Sequence, residues 1–194
     1  MKIRGVVFDL DGTLVSQELN FEAIRAEIGL PSGTPLLEAL ERMNDDDRQR
    51  AGAILDEHEG QGVLRAELLP GVVEVLDWLD GRKLKRGLLS RNSRRSVDTV
   101  LARYELQFDP ALAREDAPFK PNPHGLQQIC AAWQFEPDEV LMVGDYLYDL
   151  QAGRSAGTRT ALLTHGREWP FAHLADWTLT SLAELPGAIQ NHVD

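Results

Sequence analysis

Cysteine is almost absent. Cys130 is the one thiol in 194 residues, so no intrachain disulfide and no CxxC metal or redox site is available. Positive charge is also scarce: Lys plus Arg number 20 against 31 Asp plus Glu, a formal net charge of −11. A body this acidic repels phosphate backbones and no basic block offsets it, so nucleic acid and anionic membrane surfaces are not expected partners. The acidity does not exclude a small anionic substrate, because a bound cation reverses the sign locally. Long apolar runs are missing as well. None approaches the roughly 20 residues of a membrane span, and the N-terminal run stops at Asp9, too soon for a secretory signal. The expectation is a soluble, cytoplasmic protein. Apolar residues make up 43% of the chain, and the length fits one domain with at most a modest insertion. Such a chain buries about 70% of its unfolded surface, enough for a core without staples.

Short, β-branched apolar runs punctuate the chain at Ile3–Leu10, Leu84–Ser90, Val140–Asp145 and Thr160–Thr164, with a weaker one at Trp177–Leu179. Such runs suit strands buried on both faces. Helical stripes lie between them: Val72, Val75, Leu76, Leu79; Val97, Val100, Leu101, Tyr104; Leu126, Ile129, Cys130, Trp133. Pro70 and Pro123 sit near helix starts, and Ser93 or Asn92 can cap the second helix. Alternating strands and helices predict βαβ units, a parallel sheet, and helices on both faces through right-handed crossovers.

Residues 15–69 break the rhythm. They offer no strand but three helical stripes, around Phe21–Ile28, Leu36–Met43 and Ala51–His58, with Pro31-Ser32-Gly33 and Gly60-Gln61-Gly62 as expected breaks. The Asn44-Asp45-Asp46-Asp47 run reads as a solvated turn and helix start, where carboxylates suit the dipole. The expected organisation is an α/β core, 1–14 with 70–194, carrying a small all-helical insertion at 15–69.

Ligands of parallel sheets bind at the carboxyl ends of the strands. Here those ends carry Asp9 and Asp11, then Ser90-Arg91-Asn92, then Asp145 with Asp149 a helical turn further on, while Lys120 lies in the loop before the third core helix. Carboxylates crowded on one edge cannot all ionise without a cation. An oxygen-only ligand set suits Mg²⁺. Paired aspartates can divide labour between nucleophile and acid/base, and Gly12 lets backbone N–H groups approach an anion.

The constellation resembles the haloacid dehalogenase (HAD) superfamily over nearly the whole chain. DxDGT is matched at Asp9–Thr13, the second-motif hydroxyl by Ser90, the Lys-Pro motif by Lys120-Pro121, and GDxxxD at Gly144–Asp149. Leu69-Pro70-Gly71-Val72 looks like the family's return from a helical cap. The resemblance implies a Rossmann-like fold with a small helical cap after the first strand. It implies a Mg²⁺-dependent phosphatase of the phosphoglycolate phosphatase-like type, hydrolysing a small soluble phosphomonoester through an aspartyl-phosphate. Asp9 would be the nucleophile and Asp11 the acid/base. Asp9, Asp11 (through its main-chain carbonyl), Asp145 and Asp149 would serve the metal, Asp149 through water or by orienting Lys120. Ser90 and Lys120 would bind the phosphoryl group, with Gly12, Arg91 and Asn92 beside them.

Two positions depart from the family pattern: Arg91 where Asn is frequent, and Tyr146 where Ser or Thr is frequent. Arg91 is read either as a clamp on substrate phosphate or carboxylate or as a solvated loop charge. Asp11 favours phosphoryl transfer over dehalogenation. Lysine occurs only at 2, 83, 85 and 120, so the cap has none for Schiff-base phosphonate cleavage. A sugar-phosphate mutase and a non-catalytic binder on the same fold stay open as alternatives, as does a monomer or homodimer. Cys130, Trp78 and Trp133 read as core, His124 as a helix-start residue, and His165, Arg167 and Trp169 as a loop near the expected site.

Overall fold

The apolar run at Ile3–Leu10 becomes β1 (Gly5–Phe8), buried at every residue, in a computed structural model that describes residues 2–16 and 18–190. The ladder reaches Asp9, whose N–H donates to the Val143 carbonyl at 2.9 Å. It then stops, because the Leu10 carbonyl takes turn bonds from Leu14 and Val15 at 2.8 and 3.1 Å. Three helices follow, α1 (Phe21–Ile28), α2 (Leu36–Glu41) and α3 (Asp45–Arg65), then α4 (Val72–Gly81), β2 (Lys85–Leu89), α5 (Arg94–Arg103) and β3 (Ala111–Leu112). The chain continues through α6 (His124–Trp133), β4 (Val140–Gly144), α7 (Leu147–Ala156), β5 (Arg159–Leu163), β6 (Trp177–Leu179) and α8 (Leu185–Gln190).

The strands form one parallel sheet in the order β3-β2-β1-β4-β5-β6, the doubly wound arrangement with its crevice beside the first strand. Val7, Leu89, Val140 and Met142 share one face and pack with Leu126, Ile129, Cys130 and Trp133 of α6 and Ala152 and Ala156 of α7. Val6, Phe8, Leu88 and Leu141 have the opposite parity and are equally buried. Right-handed crossovers place α4 and α5 over that face. Strand β3 had no sequence signal: it is two residues long and exists through its pairing of Ala111 with Leu88 and Leu112 with Leu89.

The chain divides into two compact units, Met1–Ser16 with Glu67–Asp194, and Gln17–Ala66. The first unit closes its own gap. Ser16 N–H donates to the Glu67 carbonyl at 2.8 Å, and Leu69 N–H to that of Leu14 at 2.9 Å. In the second, Asn20 caps α1 and Asn44 caps α3, with Asp45, Asp46 and Asp47 in the first turn of α3. The expected break at Gly60-Gln61-Gly62 is corrected: α3 runs through it to Arg65. A helical glycine costs only about 1 kcal/mol, and Gly62 is buried where a Cβ would stand 3.0 Å from Leu19. Among the described residues no helix is long and apolar enough to cross a membrane.

Candidate active site

Three adjacent strands, β2, β1 and β4, end in Ser90, Asp9 and Asp145. Neighbouring strands lie about 4.8 Å apart, so these ends share one small area at the carboxyl edge of the sheet. Lys120 comes from the loop before α6 and Asp149 from the first turn of α7. The Lys120 ammonium joins them: Nζ donates to Asp9 Oδ1 at 2.6 Å and lies 2.7 Å from Asp149 Oδ1. The Lys120 side chain is 1% exposed. The other Asp149 oxygen accepts the Tyr146 N–H at 3.1 Å. Asp9, Asp145 and Asp149 offer carboxylate oxygens that all lie within 4.8 Å of one another.

Two glycines make this density possible. Gly12 has φ of +76°, and a Cβ there would collide with the Asp145 carboxylate. A Cβ on Gly144 would collide with the Asp149 carboxylate. Either substitution therefore displaces a carboxylate rather than filling space.

One ammonium faces three carboxylates. Burial alone would lower the Lys120 pKa, but Asp149 and Asp9 outweigh it and hold the ammonium more firmly protonated than usual. Burial, reinforced by Asp9 and Asp149, pushes the Asp145 carboxyl up to about 8. Burial raises Asp149 too, against the pull of Lys120. The cluster holds more negative charge than its protein partners neutralise. Its donors are all oxygen, which fits a hard divalent cation of the Mg²⁺ type.

The family profile described as haloacid dehalogenase-like hydrolase matches residues 3–157. The chain belongs to the haloacid dehalogenase-like hydrolases. Among its relatives, a haloacid dehalogenase-like hydrolase domain-containing protein of Arabidopsis thaliana is 37% identical over 211 residues, covering 100% of this chain and 86% of that one. A phosphoglycolate phosphatase of Haemophilus influenzae is 30% identical, covering 92% of this chain and 94% of its own. A solved hydrolase from Pseudomonas syringae superposes with a TM-score of 0.82 over 98% of this chain and 100% of its own, at 19% identity. The last is a likeness of fold.

The residues that the sequence singled out in this hydrolase fall into two groups and a link. Asp9, Asp145, Asp149 and Lys120 form the charged cluster, with Gly12 pressed against Asp145. Asp11 stands in a second group: its Oδ2 accepts the Asn92 side-chain amide at 2.6 Å, and the Asn92 N–H donates to Ser90 Oγ at 3.1 Å. Arg91 is the link. Its guanidinium donates to the Lys120 carbonyl and lies 4.8 Å from the Phe119 ring centroid and 4.4 Å from that of Tyr148. Ser93, not Asn92, caps α5.

The sequence marked His165 and Trp169 only as part of a loop near the expected site, without their contacts. His165 Nε2 hydrogen-bonds the Gly12 carbonyl at 2.6 Å, tying the loop after β5 to the DxDGT turn. The Tyr146 ring contacts Tyr148, Trp169 and Phe171 edge to face. Apart from Tyr148, a near neighbour of Tyr146 in sequence, these partners lie far apart along the chain, and no local pattern announces the pairings. Cys130 is buried, with its thiol pushed up to about 11 by burial, which marks it as inert core.

Proposed function

We propose that this hydrolase is a Mg²⁺-dependent phosphatase that cleaves a small soluble phosphomonoester through an aspartyl-phosphate on Asp9. The observation that carries the reading is the buried Lys120 ammonium shared between Asp9 and Asp149, 2.6 and 2.7 Å away. A structural ion pair needs one carboxylate. A lysine held between two, beside a third that burial keeps hard to ionise, suits the neutralisation of an incoming phosphate.

Lys120 engages Asp9 Oδ1, which leaves Oδ2 to attack phosphorus. The P–O bond to the leaving group breaks as the Asp9–phosphorus bond forms, and Asp11 delivers a proton to the departing oxygen. The Asn92 side-chain amide donates to Asp11 Oδ2 at 2.6 Å, which orients the carboxyl for that transfer. Asp11 then takes a proton from the water that attacks phosphorus, and Asp9 is released with inorganic phosphate. Ser90 and a backbone N–H after it hold phosphoryl oxygens; the Gly12 N–H is taken by the Val15 carbonyl at 2.7 Å, so Gly12 serves by letting the turn pack against Asp145. Asp149 has both oxygens engaged, by Lys120 and the Tyr146 N–H, so it orients the lysine. Asp9, Asp145 and the Asp11 main-chain carbonyl would hold Mg²⁺, which supplies charge neutralisation at the phosphoryl oxygens.

The helical insertion serves in this reading as a cap that selects the substrate. Arg25, Arg48 and Arg50 form ion pairs with Glu22, Asp45 and Asp47 inside their own unit. A small phosphorylated metabolite is the expected partner, and a relative's name, phosphoglycolate phosphatase, supports that class. The cytoplasm is the proposed setting. The test is phosphate release from p-nitrophenyl phosphate and a panel of small phosphomonoesters, with Mg²⁺ or EDTA, for wild type and Asp9→Asn. Turnover that needs Mg²⁺ and disappears in Asp9→Asn is the expected result. A folded, Mg²⁺-loaded wild type that releases no phosphate overturns the reading.

A further inference from the structure

We infer that Arg91 is a positioning residue for Lys120 rather than a substrate clamp. The inference builds on the role given to Lys120 above, but its geometry stands by itself. A lysine side chain has four rotatable methylenes, so its ammonium stays at a fixed point only if its backbone is held. The Lys120 carbonyl is held by the Arg91 guanidinium. That guanidinium lies 4.8 Å from the ring centroid of Phe119, the residue before Lys120, and 4.4 Å from that of Tyr148, the residue before Asp149. Arg91 thus grips the chain beside both members of the Lys120–Asp149 pair, whose atoms meet at 2.7 Å.

The arginine comes from a third element, the loop after β2. It closes a triangle with the loop before α6 and the first turn of α7. A planar fork suits this position: it donates in its plane to a carbonyl and offers its faces to the rings. With its charge directed at the Lys120 carbonyl and its faces at two rings, Arg91 points its chemistry at the protein. The adjacent Asn92 meanwhile supports Asp11. The loop Ser90-Arg91-Asn92 therefore sets both the lysine and the acid/base aspartate.

Arg91→Gln and Arg91→Lys test the inference, with Tyr148→Leu as a second route to loosening the grip. Turnover is measured on p-nitrophenyl phosphate, which has no carboxylate, and on phosphoglycolate, which has one. A misplaced catalytic group costs rate rather than binding, so Arg91→Gln lowers kcat about 10- to 100-fold on both substrates. KM stays nearly unchanged, and Arg91→Lys falls between Arg91→Gln and wild type. A KM rise confined to phosphoglycolate, with kcat intact, assigns Arg91 to the substrate and overturns the inference.

A second readout needs no activity. Reductive methylation read by mass spectrometry compares Lys120, 1% exposed, with the surface lysines Lys2, Lys83 and Lys85. Faster labelling of Lys120 alone in Arg91→Gln and Tyr148→Leu, with a folded melting profile, supports positioning. Unchanged Lys120 labelling in both overturns it. If wild type shows no phosphatase turnover, the phosphatase reading falls separately and the labelling decides the role of Arg91.

Discussion

Lys120 carries the electrostatic load of the candidate site. Its ammonium is the group between Asp9 and Asp149, and removing one partner of a buried pair strands the other charges. Lys120→Met is expected to lower stability by about 3–5 kcal/mol in urea denaturation and to reduce phosphate release by at least about 100-fold. Asp145 gives a pH prediction. Its folded pKa of about 8 stands above the ordinary value of 3.8, so the folded state binds this proton more tightly than the unfolded one. Its contribution is therefore complete below about pH 4 and is lost as the pH rises toward 8. In the metal-free protein, Asp145→Asn should melt higher than wild type at pH 8 and by a smaller margin at pH 5. Mg²⁺ should raise the wild-type melting temperature and leave that of Asp145→Asn nearly unmoved. Equal melting of the two proteins at pH 8 without metal would sink this account. Asp9, Asp145, Ser90 and Lys120 stood out because each follows an apolar run or sits beside a proline, and Asp11 and Asp149 stood out by their spacing from Asp9 and Asp145. The job of Arg91 was not legible, because the carbonyl it holds lies 29 residues away.

Helix α3 carries a contrast between two glycines. Gly60 has nothing within 4 Å of a Cβ, whereas a Cβ on Gly62 would stand 3.0 Å from Leu19 Cδ2. Gly60→Ala should therefore stabilise by about 0.5–1 kcal/mol, the helical penalty of glycine. Gly62→Ala should give no such gain, because its methyl must push Leu19 aside. Denaturation followed by helical circular dichroism separates the two. The same element shows where local reading failed. Glycine pairs signal a break on average, but packing around Gly62 rewards the small residue and the helix continues. Strand β3 failed in the other direction, since two residues carry no periodicity and the edge of β2 supplies the pairing. The strands β1 and β4 were legible because burial on both faces demands continuous apolar runs, which few other contexts require, whereas β2 and β5 offered only the short apolar stretches Leu88-Leu89 and Ala161-Leu162-Leu163.

At the scale of the whole chain, the insertion leaves and re-enters the α/β unit through one seam, where Ser16 and Glu67 are hydrogen-bonded at 2.8 Å. A short glycine linker joining Ser16 to Glu67 should therefore yield a unit that melts cooperatively by itself. Under the proposed function it should still cleave p-nitrophenyl phosphate while discriminating less among phosphomonoesters. A linker variant that fails to fold would show that the α/β unit needs the insertion. Composition, apolar periodicity and the order of four short motifs were enough to determine a parallel α/β sheet, the family resemblance and the edge on which the reactive groups gather. Each of these rests on local pattern and on general rules of strand burial and crossover. Tertiary structure alone decided which oxygen of Asp9 the lysine takes, that Asn92 holds Asp11, and that Arg91 grips the Lys120 backbone between two rings. Those contacts join residues remote in sequence, and only the packing of the strand-end loops brings their atoms within bonding distance.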